Sequence, residues 1–221
     1  MSTPIVLTEQ TQQFIAALHR GGVHRFTQEL SGKFPVTYWS KVNEPLRLPP
    51  NFEGAAIYFG INPTIVRVTD EDRAKYPRFG DAWIEKRVAS KDRTIACINC
   101  LYREYDAKDF ADNDEAFRSD VGKYKTVAIA HVMSLSPSPS VVVDSGGGYQ
   151  CYWLLDETFY LRSADDRTKA KDIQRRWVEM DKHADQGVKD IRRIFRIPGT
   201  TNYKDVYAPH FPTVQLLKKD L

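Results

Sequence analysis

Two carboxylates one residue apart, Glu104 and Asp106, close the apolar run of CINCLYREYD. On a strand, residues i and i+2 face the same side, so both acids aim at one spot. That arrangement costs electrostatic energy unless a cation neutralises it. An anionic, all-oxygen donor set suits Mg2+ or Mn2+. The competing reading is a polar strand edge with solvated acids. A second stretch, VVVDSGGGYQCYWLL, sets Ser145, Gly146, Gly147 and Gly148 between two β-branched and aromatic runs. Amides with no side chain in the way form a nest that holds a phosphate closely; a glycine turn in a plain hairpin has the same sequence. Gln150 lies just past the glycines, within reach of whatever they bind. A third stretch, DIRRIFRIPGTTNYK, spaces Arg193 and Arg196 three apart and follows a Pro198-Gly199 turn with Thr200, Asn202 and Lys204. Clustered arginines of this kind suit phosphate recognition; a solvated basic helix end, favourable with the helix dipole, is the alternative. Acids for a metal, glycines for a phosphate and a basic turn for a phosphate are together the parts of a two-metal nucleotidyl transfer.

The elements that position these residues are legible from periodicity. Residues 8–20 read as a helix carrying Phe14, Ile15 and Leu18, stopped by Gly21-Gly22. Residues 34–42, 55–61 and 96–106 read as strands. The charged stretch 64–92 reads as a surface excursion with short helices. A helix is expected over 113–134, broken by PSPS at 137–140. Strands at 141–143 and 149–155 flank the glycines. A long polar helix is expected over 163–183, a second basic helix from Val188 to just before Pro198, and a last strand in the tail 213–221. Irregular alternation with a hairpin points to an α/β or α+β fold with a mixed or antiparallel sheet.

Composition sets the bounds. The 221 residues suffice for one large domain or two small interlocked ones, at 42% hydrophobic and 28% charged. No apolar run reaches the roughly 20 residues of a membrane helix, so no membrane partner is expected. The start MSTPIVLTEQTQQF lacks the basic and apolar regions of a secretory signal. Three cysteines, an odd number, fit a reducing compartment and a cytoplasmic location. Cys97 and Cys100 form a C-x-x-C; zinc needs two more ligands, and small buried core residues are the other reading. A net charge of +3 permits a polyanionic partner. The ending on a strand and KKDL suggests one domain of a longer chain.

Taken in order, the three stretches resemble the archaeo-eukaryotic primase superfamily, and most of all the primase-polymerase domains of plasmids, phages and other mobile elements. Arg193-Ile-Phe-Arg196-Ile-Pro-Gly-Thr200-Thr-Asn202-Tyr-Lys204 matches their third signature completely, and IYFGINP (57–63) is similar to an early strand. The resemblance spans about residues 55–205. It implies an RRM-like catalytic sheet packed with helices, beside a smaller N-terminal α/β part over 1–54. It implies Glu104, Asp106 and a third acid, Asp190 with Asp185 as competitor, as ligands of Mg2+ or Mn2+. Ser145, Gly146, Gly147, Gly148 and Gln150 fall on its nucleotide-phosphate motif, and Arg193, Arg196, Asn202 and Lys204 on its phosphate or template contacts. It implies a template-directed nucleotidyltransferase, a DNA primase or DNA polymerase, acting on single-stranded DNA with dNTP or NTP in mobile-element replication, with a helicase domain in the same longer chain. Two departures stand out. Glu104 replaces the more usual aspartate, and Gln150 stands where histidine is usual. Glutamine keeps a donor but is never cationic. A degenerate module that binds single-stranded DNA or nucleotide beside a helicase is therefore the alternative.

Overall fold

A computed structural model describes residues 7–30, 35–49 and 54–220. The segment MSTPIV, the expected strand start at Phe34 and the last residue, Leu221, lie outside the described residues. Helix α1 (Glu9–His19) begins at Thr8, whose side chain accepts from the Thr11 amide. It buries Phe14, Ile15 and Leu18 and gives way to Gly21 at φ +76°, a conformation glycine adopts without strain. Strands β1 (His24–Leu30), β2 (Val36–Lys41) and β3 (Ala56–Gly60) follow. The excursion holds α2 (Asp70–Lys75) and α3 (Asp81–Glu85). Then come β4 (Cys97–Asp106), α4 (Asp114–Ser119), α5 (Val121–Ser134), β5 (Val141–Asp144), β6 (Gly148–Tyr160), α6 (Ala164–Glu179), β7 (Ile194–Arg196) and β8 (Gln215–Lys219).

The strands form two four-stranded antiparallel sheets, β2-β1-β3-β7 and β4-β6-β5-β8. Together with the helices they make an α+β fold. Helix α1 is buried against both sheets: Phe14 meets Phe59 of β3 edge-on at 6.1 Å and Tyr152 of β6 at 4.9 Å. Phe195 of β7 reaches Tyr102 and Tyr152 of the second sheet, at 5.6 and 5.8 Å. The other face of the second sheet packs on α5 and α6, where Trp153 and Trp177 meet at 5.0 Å.

Three expectations change. The basic helix from Val188 does not form; Ile194–Arg196 is a strand paired with β3, Tyr58 opposite Arg196. Burial of Phe195 between two tyrosines outweighs the local three-residue spacing of the arginines. The helix over 113–134 is two helices joined at Asp120, whose side chain accepts from the Lys123 amide and starts α5. Strand β1, HRFTQEL, was not expected: its Gln28 and Glu29 are buried, which hides the alternation of a half-buried strand.

Candidate active site

The catalytic strand of the resemblance, β4, lies at the edge of its sheet. Three of its outward backbone groups are taken by two neighbours. The Gln174 side chain of α6 accepts from the Tyr102 amide at 3.3 Å and donates to the Tyr102 carbonyl at 2.9 Å. Two residues on, the Asp185 amide donates to the Glu104 carbonyl at 2.7 Å. Arg103 and Tyr105 point at α6 and beyond, where Arg103 donates to the Trp177 carbonyl and Tyr105 to Asp181. Glu104 and Asp106 take the opposite face, as the i, i+2 spacing requires.

Neighbouring acids act on Glu104 and Asp109. Burial pushes the Glu104 carboxyl up to about 7, with Asp106 and Asp185 adding to the rise and Lys204 and Arg193 opposing it. Glu104 is half-buried. Asp109 is also raised, by burial first, then by Asp106 and Asp185. Asp190 is differently employed. It pairs with Arg193 at 2.9 Å, accepts from the Arg192 amide at 3.0 Å, and its carbonyl accepts from the Tyr102 hydroxyl. Among the described residues no three His, Cys, Asp or Glu side chains are gathered into a ready metal shell. The donor set is nevertheless all oxygen, with more negative than positive charge at Glu104, and its chemistry fits a hard divalent cation such as Mg2+ or Mn2+. The cysteines are elsewhere: Cys97, Cys100 and Cys151 are free and buried, and burial pushes the Cys97 thiol up to about 11.

The glycine stretch is a tight turn between β5 and β6. The Ser145 amide donates to the Gly148 carbonyl at 2.9 Å, and Gly146 has φ +94°. The Gly146 amide donates to Asp144 at 2.8 Å, and Lys125 holds that carboxylate at 2.7 Å. Two amides of the expected nest, those of Ser145 and Gly146, are thus already used. Gln150 sits opposite Glu104 in the ladder, 2% exposed, and its Oε1 has no partner. An orphaned buried acceptor beside a crowded carboxylate is a group awaiting a donor.

The third stretch closes over the turn. Asn202 is buried and donates to the Ser145 carbonyl at 2.7 Å, while its Oδ1 accepts from the Lys204 amide. Arg196 is 6% exposed and donates to the Tyr58 hydroxyl at 2.7 Å; its Nε is buried without a partner. Arg193 splits its guanidinium between Asp190 and the Gly187 carbonyl. Lys204 is exposed. A cavity of about 190 Å³ gathers Asp106, Gly147 and Lys204, one residue from each stretch, with Lys108 and Tyr207. Burial raises the Tyr207 phenol, Asp106 and Asp144 act in the same direction, and Arg196 opposes them. A larger cavity, about 600 Å³, lies between α1 and the loop after β2 and holds none of these residues.

Asp109, Tyr58 and Tyr207 were missed by sequence reading. Asp109 follows Asp106 by three residues in YDAKDF, a spacing that says nothing until the short 3-10 turn Ala107–Phe110 brings it back toward the site. Tyr58 stands in the IYFGINP strand and is tied to the site only through its cross-strand partner, Arg196.

No protein-family profile matches the chain, and no curated protein matches it in sequence. Among solved structures, the AEP domain of the cyanophage S-2L primase-polymerase aligns with 97% of this chain and 91% of its own, at TM-score 0.53 and 14% identity. The catalytic domain of primase RepB′, solved in complex with initiator DNA, aligns with 96% of this chain and 86% of its own at TM-score 0.44 and 13% identity. With its two antiparallel sheets, the helix wedged against both and near-complete coverage of the cyanophage domain, the chain has an archaeo-eukaryotic primase-type fold.

Proposed function

We propose that the protein is a template-directed nucleotidyltransferase, a DNA primase or polymerase that extends or initiates strands on single-stranded DNA from dNTP or NTP. One observation carries the reading: a single cavity gathers Asp106, Gly147 and Lys204, one residue from each of the three stretches, while the Asp185 amide, 81 residues along the chain, donates to the Glu104 carbonyl at 2.7 Å. The primase-type fold supports it. A 3′-hydroxyl, or the hydroxyl of an initiating nucleotide, attacks the α-phosphate of the incoming nucleotide, and pyrophosphate leaves. Glu104, Asp106 and Asp185 would hold Mg2+ or Mn2+, which when bound stabilises the attacking and leaving oxygens. Asp185 takes the third place in preference to Asp190, because Asp190 is neutralised by Arg193. Arg196 and Lys204 meet the triphosphate, charge against charge. Asn202 fixes the glycine turn against the basic loop, and Gln150 offers its amide to a phosphate oxygen. A role in mobile-element replication and a helicase in the same longer chain belong to this proposal.

The second reading, a binding module without efficient synthesis, is favoured by Gln150, which contributes no positive charge. One experiment separates the two. Purified protein is given a primed single-stranded template, labelled nucleotides and Mg2+ or Mn2+. We expect extension that Asp106→Ala abolishes, with DNA affinity unchanged or slightly tighter because a negative charge near a polyanion is removed. Undiminished synthesis by Asp106→Ala would overturn the assignment of the acids, and absence of synthesis by the unaltered chain would favour the binding module.

A further inference from the structure

The excursion between β3 and β4 contributes nothing to the site above, yet it carries an ordered aromatic column. Phe79 stacks on Trp83 with 3.8 Å between centroids and 14° between planes. The Arg87 guanidinium lies 3.9 Å from the same Trp83 centroid. Two planar groups that close to one ring must take its opposite faces. Tyr76 meets Trp83 edge-on at 5.5 Å. The column is therefore closed at Arg87 and open at Phe79, which is 47% exposed.

Charge around the column is unbalanced. The acids of the excursion are paired: Asp70 and Asp81 with Arg73, Glu71 with Lys91 and Arg93, Asp72 with Lys91, and Glu85 with Arg67. Lys75, Arg78, Lys86 and Arg87 make no ion pair among the described residues, and all four are exposed. An open aromatic face in a segment with four unpaired cations, of which Lys75 lies over the Tyr76 ring at 5.4 Å and Arg87 over Trp83, complements a polyanion with flat apolar faces.

The excursion is also fastened in a telling place. The Thr37 amide donates to the Lys86 carbonyl at 2.9 Å, and the Trp39 indole to the Glu85 carbonyl at 3.0 Å. Thr37 ends a cross-strand row, Arg196–Tyr58–Gln28–Thr37, that crosses the first sheet. Three strand spacings make that row about 14 Å long. It runs from the arginine of the candidate active site to the foot of the column.

We propose that this column is a stacking platform for single-stranded nucleic acid: a base lies on the outer face of Phe79, and Arg78, Lys86 and Arg87 meet the flanking phosphates. The inference rests on the nucleotidyltransferase reading to the extent that the bound strand is the template. Its test reads binding alone. The full chain, without nucleotide or divalent metal, is titrated into a fluorescent oligodeoxythymidine and followed by anisotropy. Phe79→Ala and Phe79→Leu should each weaken binding roughly 5- to 150-fold, the range for one lost base–aromatic stack. Phe79→Trp should restore it, and Ile173→Ala, an exposed apolar residue on α6, should leave it unchanged. Leucine keeps apolar volume without a π-face, so it separates stacking from packing. The double variant Arg78→Ala/Lys86→Ala should lower the slope of log affinity against log salt by about 1.4, at about 0.7 per phosphate contact. Affinity within twofold of the unaltered chain in both Phe79→Ala and Phe79→Leu would overturn the platform while leaving synthesis untouched. Failure of synthesis with these binding effects intact would remove the catalytic reading and keep the platform. An unaltered chain that does not bind the strand would overturn both.

Discussion

Gly148 is where β6 crosses the base of the candidate metal site, and replacing it with alanine is the most exacting test of the packing there. A Cβ at Gly148 would lie 2.2 Å from the Tyr105 carbonyl oxygen, 2.8 Å from the Asp106 Cα and 3.0 Å from the Tyr105 carbonyl carbon. All three are backbone atoms, so no side chain can swing aside. Moving the oxygen contact from 2.2 Å to an ordinary 3.4 Å means parting β4 and β6 by about 1.2 Å. Overpacking of this kind costs about 1–3 kcal/mol, against roughly 0.5–1 kcal/mol gained by removing glycine's freedom from the unfolded chain. Net destabilisation of about 1–2 kcal/mol is expected, read as a lower urea midpoint at unchanged m-value. The same displacement carries Asp106 out of register, and a misplacement near 1 Å costs on the order of 100-fold in rate. Gly147→Ala is the control. Its Cβ would meet the Tyr207 hydroxyl at 2.0 Å, the far end of a side chain that can turn away. It should lose under about 1 kcal/mol. A Gly148→Ala protein with an unshifted midpoint, or equal losses in the two variants, would refute the reasoning.

Three further outcomes are expected. Asp185→Asn should reduce extension by at least about 100-fold, the scale of losing one preorganised charge at a transition state, whereas Asp190→Asn should stay within about 10-fold; the reverse order in a primer-extension assay would return the third place to Asp190. Gln150→Ala should weaken nucleotide binding by roughly 1–3 kcal/mol, the cost of stranding a buried polar partner, and Gln150→His should keep or raise the synthesis rate; equal affinities in titration calorimetry would put Gln150 outside the pocket. Burial lowers the His19 imidazole to about 4 from its usual 6.5, held neutral against the Gly60 carbonyl at 2.8 Å. Because the unfolded chain then takes up the proton first, this contribution is complete above about pH 6.5 and is lost as pH falls to about 4, up to roughly 3 kcal/mol; urea midpoints of His19→Gln should fall less steeply over that window, and parallel curves would contradict the burial argument.

Much of the candidate site is legible because its motifs are local. Glu104 and Asp106 announce their shared face through strand spacing alone, and Ser145–Gly148 announces a turn between two β-branched runs. What stayed hidden depends on contacts distant in the chain. Arg196 looked helical because three-residue spacing is a local signal; its partner is Tyr58, 138 residues away. Asp190 is expected as the third acid because it abuts the basic signature, with Asp185 as competitor. That same proximity pairs Asp190 with Arg193, while the Asp185 amide bonds the Glu104 carbonyl, a contact no spacing rule encodes. Strand β1 escaped notice because its polar residues find partners inside the fold, as Gln28 does with Thr37 at 3.0 Å.

The Gln174 clamp on β4 has a consequence for solubility. An unpaired sheet edge is a template onto which a second chain can add a strand, and growth from such edges leads to fibrils. A strand bearing the acids of a candidate site is hard to guard with the usual charged or proline residues on its open side, since neighbours must approach it closely. Here one buried glutamine imitates the missing strand at Tyr102, and one peptide group does so at Glu104. The contacts that fix this stretch of β4 therefore also deny it to other copies of the chain, so that loss of the clamp exposes a self-association surface beside the candidate site.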